Sequence, residues 1–279
     1  ELRQINPDAD QGLPLLSTLE PVRKLTELER LSLNGQKLIS EAAALEGLRM
    51  LDSITAVGSG IRDLDMLGAH ERLRWLDCRD CRSLKSLDGM RGLPALTVVL
   101  ADGSGLTDIT SQTFRDSSSA LLVNRSKVNL SWWSNLDSNW HVILERNLQE
   151  ASGLSLKASA LDTLQQSITL ERLVNLPSIS IEEDEIYHLD PISTLKELRE
   201  LDFASNRVHS LEPLRSCLKL KALNASGNPL SDLSPLRVLV DLEKVSFEDT
   251  PIEDLGDLVN CRDLKELSFA GTRSEEHTS

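Results

Sequence analysis

The chain has 279 residues, of which 40% are hydrophobic but only 3% are aromatic, so a long core would have to be built mainly from aliphatic side chains. Its formal net charge of −14 repels phosphate backbones and anionic lipids, and we therefore expect neither nucleic acid nor a membrane as a partner. No apolar run approaches the roughly 18–20 residues of a membrane-spanning helix. A protein partner with a basic surface fits this charge better.

Short apolar phrases recur along the N-terminal half of the chain. Each begins with an apolar residue and has a second apolar or small residue two positions later, as in Leu31 and Leu33. Because alternate residues of a strand point to the same side, each phrase predicts a short strand with one face toward a core. Successive phrases follow a nearly constant period of about 22 residues and begin at Leu31, Ile54, Leu76, Val99 and Leu121.

Residues 129–150 interrupt this period and contain three of the four tryptophans, Trp132, Trp133 and Trp140. We predict the next strand at Leu154 and Leu156, which is about half a repeat later than the period would place it. Two interpretations of the interruption are open. It is either an enlarged loop on the convex side, whose tryptophans pack over the repeats, or an inserted recognition element whose exposed tryptophans anchor a partner.

The repeats of the C-terminal half are more regular. Their strands are predicted at a constant step of about 22 residues, beginning at Ile179, Leu201, Leu223, Val245 and Leu267. An Asn or Thr follows the apolar pair in three copies, and an Asn side chain there can bond buried turn backbone. Apolar residues at every third position, with Pro191, Pro213 and Pro235 recurring at the same step, predict 3₁₀-like or extended return segments. One repeat cannot bury its own apolar face, so the repeats must stack.

The segment from Asn228 to Leu236 reads Asn-Pro-Leu-Ser-Asp-Leu-Ser-Pro-Leu and resembles the leucine-rich-repeat family. It is similar to the 22-residue subclass shared by the protein-phosphatase-1 regulatory subunit and the internalins, over roughly residues 13–272 apart from the interruption. The segment from Leu76 to Leu84 is more similar to cysteine-bearing repeats of immune-receptor-type and protist surface proteins, so the subclass stays open. The resemblance implies an α/β solenoid shaped as a horseshoe. It places a parallel β-sheet on the concave face, short 3₁₀, helical or extended segments on the convex face, and protein ligands on the concave face.

We divide the chain into N-terminal repeats (1–128), a Trp-rich insertion (129–150) and C-terminal repeats of the same solenoid (151–272). Residues 273–279 resemble the translation of a sequencing adapter and are predicted to be a non-native tail. Because the chain also begins at Glu1 rather than Met, we expect it to be a fragment of a longer protein. The expected location is the cytoplasm, with secretion or the cell surface left open.

A candidate partner site follows from the strand positions that flank the inward residues, because these face the concave side. Four of them are apolar, namely Trp75, Val98, Leu100 and Leu122, and the charged residues around them are Asp77, Arg79, Asp80, Asp102 and Arg125. An aromatic anchor with an arginine-containing rim is a common composition of binding hot spots. The alternative is that residues 129–150 fold over this patch.

A second candidate is an acidic stretch farther along the same face, formed by Glu182, Glu183, Glu200, Asp202, Glu248 and Asp249. It would either steer a basic partner toward the protein or be a solvated surface. We include Glu200 and Asp202 among the predicted partner-binding residues.

The sequence contains no phosphate-binding glycine loop, zincin helix or nucleophile elbow. We therefore predict no enzyme activity and no catalytic, cofactor or metal site. The four cysteines are Cys78, Cys81, Cys217 and Cys261, and they are expected to be buried structural thiols. The predicted function is a non-catalytic protein-interaction scaffold that binds its partner on the concave face. The alternative is the ligand-sensing repeat region of a larger receptor, adhesin or enzyme.

Overall fold

The computed structural model describes residues 15–156, 162–181 and 184–271. Two compact units make up the chain, Glu1–Ser126 and Lys127–Ser279. Each unit has its own five-stranded parallel sheet and its own apolar core, as expected for stacked repeats. The predicted tail at residues 273–279 lies outside the described residues.

The first unit contains strands β1 (Arg30–Ser32), β2 (Ser53–Thr55), β3 (Trp75–Asp77), β4 (Val98–Leu100) and β5 (Leu121–Val123), which pair in chain order. Its 3₁₀ helices are Glu20–Lys24, Ala43–Leu45, Asp65–Ala69 and Asp88–Met90, and helix α1 (Asp108–Ser117) connects β4 to β5. The strands predicted from the period of the apolar phrases are therefore present. The connections are short 3₁₀ turns in all but the last repeat.

Three helices precede the second sheet: α2 (Ser126–Ser134), α3 (Ser138–Ser152) and α4 (Thr163–Val174). The sheet consists of β6 (Ser178–Ser180), β7 (Glu200–Asp202), β8 (Ala222–Asn224), β9 (Lys244–Ser246) and β10 (Glu266–Ser268), again in chain order. The 3₁₀ helices between these strands are Asp190–Thr194, Glu212–Ser216, Ser234–Val238 and Gly256–Asn260. Three of them have Pro191, Pro213 or Pro235 within their first two residues, where a fixed φ suits the turn, so the predicted return segments are confirmed.

In the repeats of β1 to β4 and of β6 to β9, the middle residue of the strand and the residue two positions later are both apolar and buried. In β7 and the segment after it these are Leu201 and Phe203, which are both buried in the second core. Trp140 of α3 belongs to the same core, and Trp132 and Trp133 pack against it. Residues 129–150 are thus helical rather than a loop, and their tryptophans support the packing interpretation.

The fifth strand is shifted by one position from its predicted phase. Val99 of β4 pairs with Leu122, not Leu121, so this repeat is one position longer than predicted and Leu122 points into the core. Leu121, Leu122 and Val123 are three consecutive apolar residues. The alternation that fixes which face of a strand is buried is therefore absent here, and the sequence alone does not set the phase.

The strand predicted at Leu154 and Leu156 is wrong, because neither residue lies in a strand. Helix α3 continues to Ser152 and ends at Gly153, which adopts a left-handed φ of 68° that suits glycine. The next strand after this point is β6. The backbone N–H of Leu156 donates to the buried Glu145 carboxylate of α3, at 2.9 Å to Oε1. This hydrogen bond holds the segment around Leu156 against helix α3 instead of in a sheet.

Helix α3 closes the edge of the second sheet at β6. The Asn147 side chain donates from Nδ2 to the Ser180 carbonyl and accepts from the Ser180 N–H at Oδ1, with both distances 2.8 Å. Arg146 adds a bond to the same carbonyl at 3.2 Å and an ion pair with Asp184. An open strand edge would leave these backbone groups unpaired, so a side-chain amide stands in for a neighbouring strand.

Helix α1 has the same role at β5 of the first unit. Its Arg115 donates to Asn124 Oδ1 at 2.7 Å and to the Leu122 carbonyl at 3.4 Å. Asn124 in turn donates to Ser111 Oγ of the helix at 2.8 Å. In both units a helical side chain therefore bonds the backbone of an edge strand of the sheet.

Asparagines at the bend after the strand connect neighbouring repeats in the second unit. Asn228 is 2% exposed and accepts from the N–H of Val208 in the preceding repeat at 3.0 Å. Its Nδ2 lies 2.9 Å from the Phe203 carbonyl and 3.1 Å from those of Ala225 and Ser226. Asn206 makes the equivalent bonds one repeat earlier, including one from the N–H of Ile186. The predicted role of these amides at the turn is confirmed.

Replacing Asn228 with Ala should lower the free energy of unfolding by about 3 kcal/mol, because it leaves the Val208 N–H and the turn carbonyls buried without partners. The matched control is Asn260→Ala, because Asn260 is exposed and donates only to the Arg237 carbonyl. That change should cost about 0.5 kcal/mol. Urea denaturation followed by circular dichroism measures both, and equal losses would contradict the assigned role.

Candidate protein-interaction surface

The apolar patch predicted on the first sheet is not available as a surface. Val98 and Leu100 do flank the inward residue of β4, but they are only 5% and 0% exposed. Leu122 is not on this face at all, because the shift of β5 by one position turns it into the core. Trp75 lies on the predicted face and is half-buried. The prediction that Val98, Leu100 and Leu122 form an exposed patch was therefore wrong. Val98 and Leu100 are buried although they lie on the predicted face, and Leu122 points into the core because β5 is shifted.

The polar rim of that patch is largely engaged within the first unit. The buried Asp77 carboxylate accepts two bonds from the Arg79 guanidinium, at 2.9 and 2.7 Å, and this contact raises the Arg79 pKa. Asp102 accepts from the N–H and hydroxyl of Ser126. Arg125 forms an exposed ion pair with Asp108 at 3.1 Å.

Asp80 is a rim residue in the turn after β3. It is exposed and adopts a left-handed φ of 58°, and its N–H donates to the Asp102 carbonyl at 2.8 Å. Asp and Asn tolerate this backbone conformation better than most residues. The left-handed backbone conformation is therefore enough to explain why an Asp occupies this position in the turn after β3.

The second sheet presents an accessible face, which we call the open face. It consists of the strand residues on either side of each inward one, in the rows Ser178, Glu200, Ala222, Lys244, Glu266 and Ser180, Asp202, Asn224, Ser246, Ser268. All ten are exposed or half-buried, and they line a shallow groove of about 340 Å³. Most are small and polar, so a partner's backbone could approach the sheet closely.

The charges of the open face are only partly balanced. Lys244 pairs with Glu266 at 2.7 Å. Asp202 accepts from the Ala204 N–H at 3.0 Å and from Asn224 Nδ2 at 2.8 Å, which are neutral donors. Glu200 is exposed, and neither it nor Asp202 forms an ion pair within the described part of the chain. The groove therefore has a local excess of negative charge.

The remaining acidic residues of the prediction are placed differently. Glu182 and Glu183 lie outside the described residues. Glu248 and Asp249 are exposed in the turn after β9, beyond the groove. Lys244, Asn224 and Glu266 line the groove but were not predicted as partner contacts. The constant repeat step from Glu200 and Asp202 could have identified all three.

A row of charged residues immediately before the strands supports neighbouring repeats. Lys221 and Lys265 each bond one oxygen of the Glu243 carboxylate, at 2.7 and 2.5 Å. These two hydrogen bonds, together with the positive charges, lower the pKa of Glu243 from its usual 4.5 to about 2. Glu243 is thus held as a carboxylate at neutral pH between lysines of the preceding and following repeats.

The four cysteines are buried free thiols, as predicted. Burial raises the pKa of each of them, so the reactive thiolate is disfavoured. Cys81 Sγ donates to the Ala56 carbonyl at 2.9 Å, across the same sequence separation as the bond from Asn228 to Phe203. Cys81 therefore occupies the position of the bend asparagine in its repeat.

The family model described as "Leucine Rich repeats (2 copies)" matches residues 196–238. Residues 196–238 therefore carry two leucine-rich repeats. The match covers β7 and β8, the 3₁₀ helices after them and the bend asparagines, which are the most regular part of the second unit. A comparison with curated proteins found no match. No helix in the described part of the chain has the length and hydrophobicity needed to cross a bilayer.

Among solved structures, the chain is similar to two internalins of Listeria monocytogenes and to a Toll-like receptor. For the internalin InlF the identity is 17% and the TM-score 0.35, with 91% of this chain and 64% of the other covered. For internalin C2 the identity is 20% and the TM-score 0.35, with 82% of this chain and 83% of the internalin covered. For TLR13, in a complex with a single-stranded RNA, the identity is 15% and the TM-score 0.34, with 91% of this chain and 34% of the receptor chain covered. The chain thus spans less than two thirds of the length of InlF and of TLR13.

The effect of Glu243 on stability should depend on pH in a defined direction. The pKa of Glu243 is lower in the folded protein than in the unfolded chain, so its contribution to stability is complete above pH 4.5 and is lost as the pH falls toward 2. Glu243→Gln should therefore destabilise the protein near neutral pH, and the difference from the unmodified protein should shrink on acidification. Urea titrations across this range measure it. Glu248→Gln, which removes an exposed carboxylate, is the control, and a pH-independent difference for Glu243→Gln would contradict the assignment.

Proposed function

We propose that this chain is a non-catalytic protein-interaction scaffold and that its partner binds the open face of the second sheet. The observation that carries the proposal is the groove of about 340 Å³ along five parallel strands, lined by accessible small polar side chains. This is the face predicted to be concave. Solenoid repeats commonly use such extended faces for binding, since each repeat adds one more row of contacts.

The partner is proposed to present a basic, extended segment to Glu200 and Asp202. Within the described part of the chain these two carboxylates form no ion pair, whereas Lys244 is already paired with Glu266. The small neighbours Ser178, Ser180 and Ala222 leave room for a long basic side chain. Charge complementarity of this kind speeds association and selects against acidic partners. We propose the same site whether the chain acts alone or as the repeat region of a larger receptor, adhesin or enzyme.

Isothermal titration with an arginine-rich peptide, an acidic peptide of the same length and a single-stranded RNA tests the proposal. We expect binding of the arginine-rich peptide alone, with an affinity that falls as salt is added. Combining Glu200→Gln with Asp202→Asn should weaken that binding at least about tenfold, or about 1.4 kcal/mol. Both changes keep the side-chain size.

The control combines Asp241→Asn with Asp263→Asn, which changes the net charge equally at exposed positions outside the groove. A similar loss in the control would show that only the overall charge matters and would contradict the site. Preferential binding of RNA would contradict the partner class. Binding that survives the groove changes but is lost on Trp75→Ala would move the site to the first sheet.

A further inference from the structure

His70 occupies a position that is apolar in the neighbouring repeats. It follows the 3₁₀ helix Asp65–Ala69, and its N–H donates to the carbonyl three residues earlier. The residues at the equivalent buried position of the other repeats are Leu48, Leu93, Leu195, Cys217, Leu239 and Cys261. A fully buried imidazole, 0% exposed, thus replaces Leu or Cys in the core of the first unit.

Both nitrogens of the ring face backbone carbonyls. Nε2 lies 2.9 Å from the Leu45 oxygen of the preceding repeat, and Nδ1 lies 3.1 Å from the Leu67 oxygen of its own repeat. A carbonyl can only accept a hydrogen bond, and a neutral imidazole has only one N–H. In either neutral tautomer, one ring nitrogen therefore faces an oxygen with no proton between them.

Protonation would supply the missing donor but would place a cation in the core. The charged side chain that acts on the ring is Arg49, whose guanidinium donates to the Ala69 carbonyl and opposes a second positive charge. Glu46 follows Leu45, and Glu71 and Arg72 follow His70. All three are exposed, so water weakens any compensation from them. Burial is the larger effect and lowers the pKa of His70, which favours the neutral ring.

We propose that His70 is an acid-sensitive joint, at which protonation loosens the contact between the 3₁₀ helices Ala43–Leu45 and Asp65–Ala69. The sign follows from linkage. An unfolded or locally opened segment takes up a proton near pH 6.5, whereas the closed repeat resists it. The stability of this contact is therefore complete above about pH 6.5 and decreases as the pH falls below it. The aliphatic side chains of the first core carry no such titratable group and hold the unit together.

Hydrogen–deuterium exchange of the full chain, above and below this pH and corrected for intrinsic rates, tests the proposal. We expect peptides that cover residues 43–51 and 65–75 to exchange several-fold faster on mild acidification, while peptides from 212–220 and 234–242 of the second unit do not. His70→Leu restores the apolar residue of the other repeats and should abolish the effect. His209→Leu, at an exposed histidine of the second unit, should leave it unchanged.

Equal acceleration in His70→Leu and in the unmodified protein, or no acceleration in the latter, would overturn the proposal. If His70→Leu does not fold, the NMR titration of the His70 ring in the unmodified, histidine-labelled protein decides. A pKa below the 6.5 of a free imidazole supports the joint. A pKa at or above 6.5 refutes it.

Discussion

Backbone hydrogen bonding between repeats is the constraint on which this structure depends. Strands of three residues cannot satisfy their own N–H and C=O groups, so each repeat must pair with the next one and the bend after each strand needs a polar side chain. Asn206 and Asn228 meet this need with an amide that reaches two repeats. Cys81 meets it less completely, because a thiol has one weak donor where an amide has two strong ones.

The same constraint explains the helices at the ends of the sheets. A sheet of stacked repeats has unpaired groups at its last strand, and these must be covered when no further repeat follows. Asn147 of α3 bonds both backbone groups of Ser180, and Arg115 of α1 reaches the Leu122 carbonyl. Helix α3, which lies mostly within the interruption of the sequence period, therefore has a structural role, since its Asn147 provides the polar side chain that this edge requires.

The sequence predicted the strands of the second unit well because Ile179 to Leu267 keep a constant step with alternating apolar and polar residues. It failed by one position at Leu121–Val123, where three apolar residues in a row remove the alternation. The strand predicted at Leu154 and Leu156 was wrong because two apolar residues two positions apart are not specific to a strand. Here they lie in an irregular segment that a hydrogen bond to Glu145 holds in place. The burial of Val98 and Leu100 depends on tertiary packing, which a local sequence pattern does not reveal. For the proposed site, the sequence identified the carboxylates Glu200 and Asp202, but not that the strand residues around them are accessible whereas Val98 and Leu100 are buried.

The composition of the open face determines what kind of recognition it can support. Its ten residues include no aromatic side chain, and its serines and alanine provide little apolar area, so binding there cannot rely on a buried hydrophobic anchor supplied by this chain. The partner would have to bring the anchor, and arginine combines a long apolar stem with a guanidinium that bonds a carboxylate through two N–H groups. Glu200 is exposed and can accept such a pair, whereas Asp202 is already oriented by Ala204 and Asn224. A preoriented carboxylate beside an exposed one favours a guanidinium over an ammonium, because only the planar fork exploits fixed acceptor geometry.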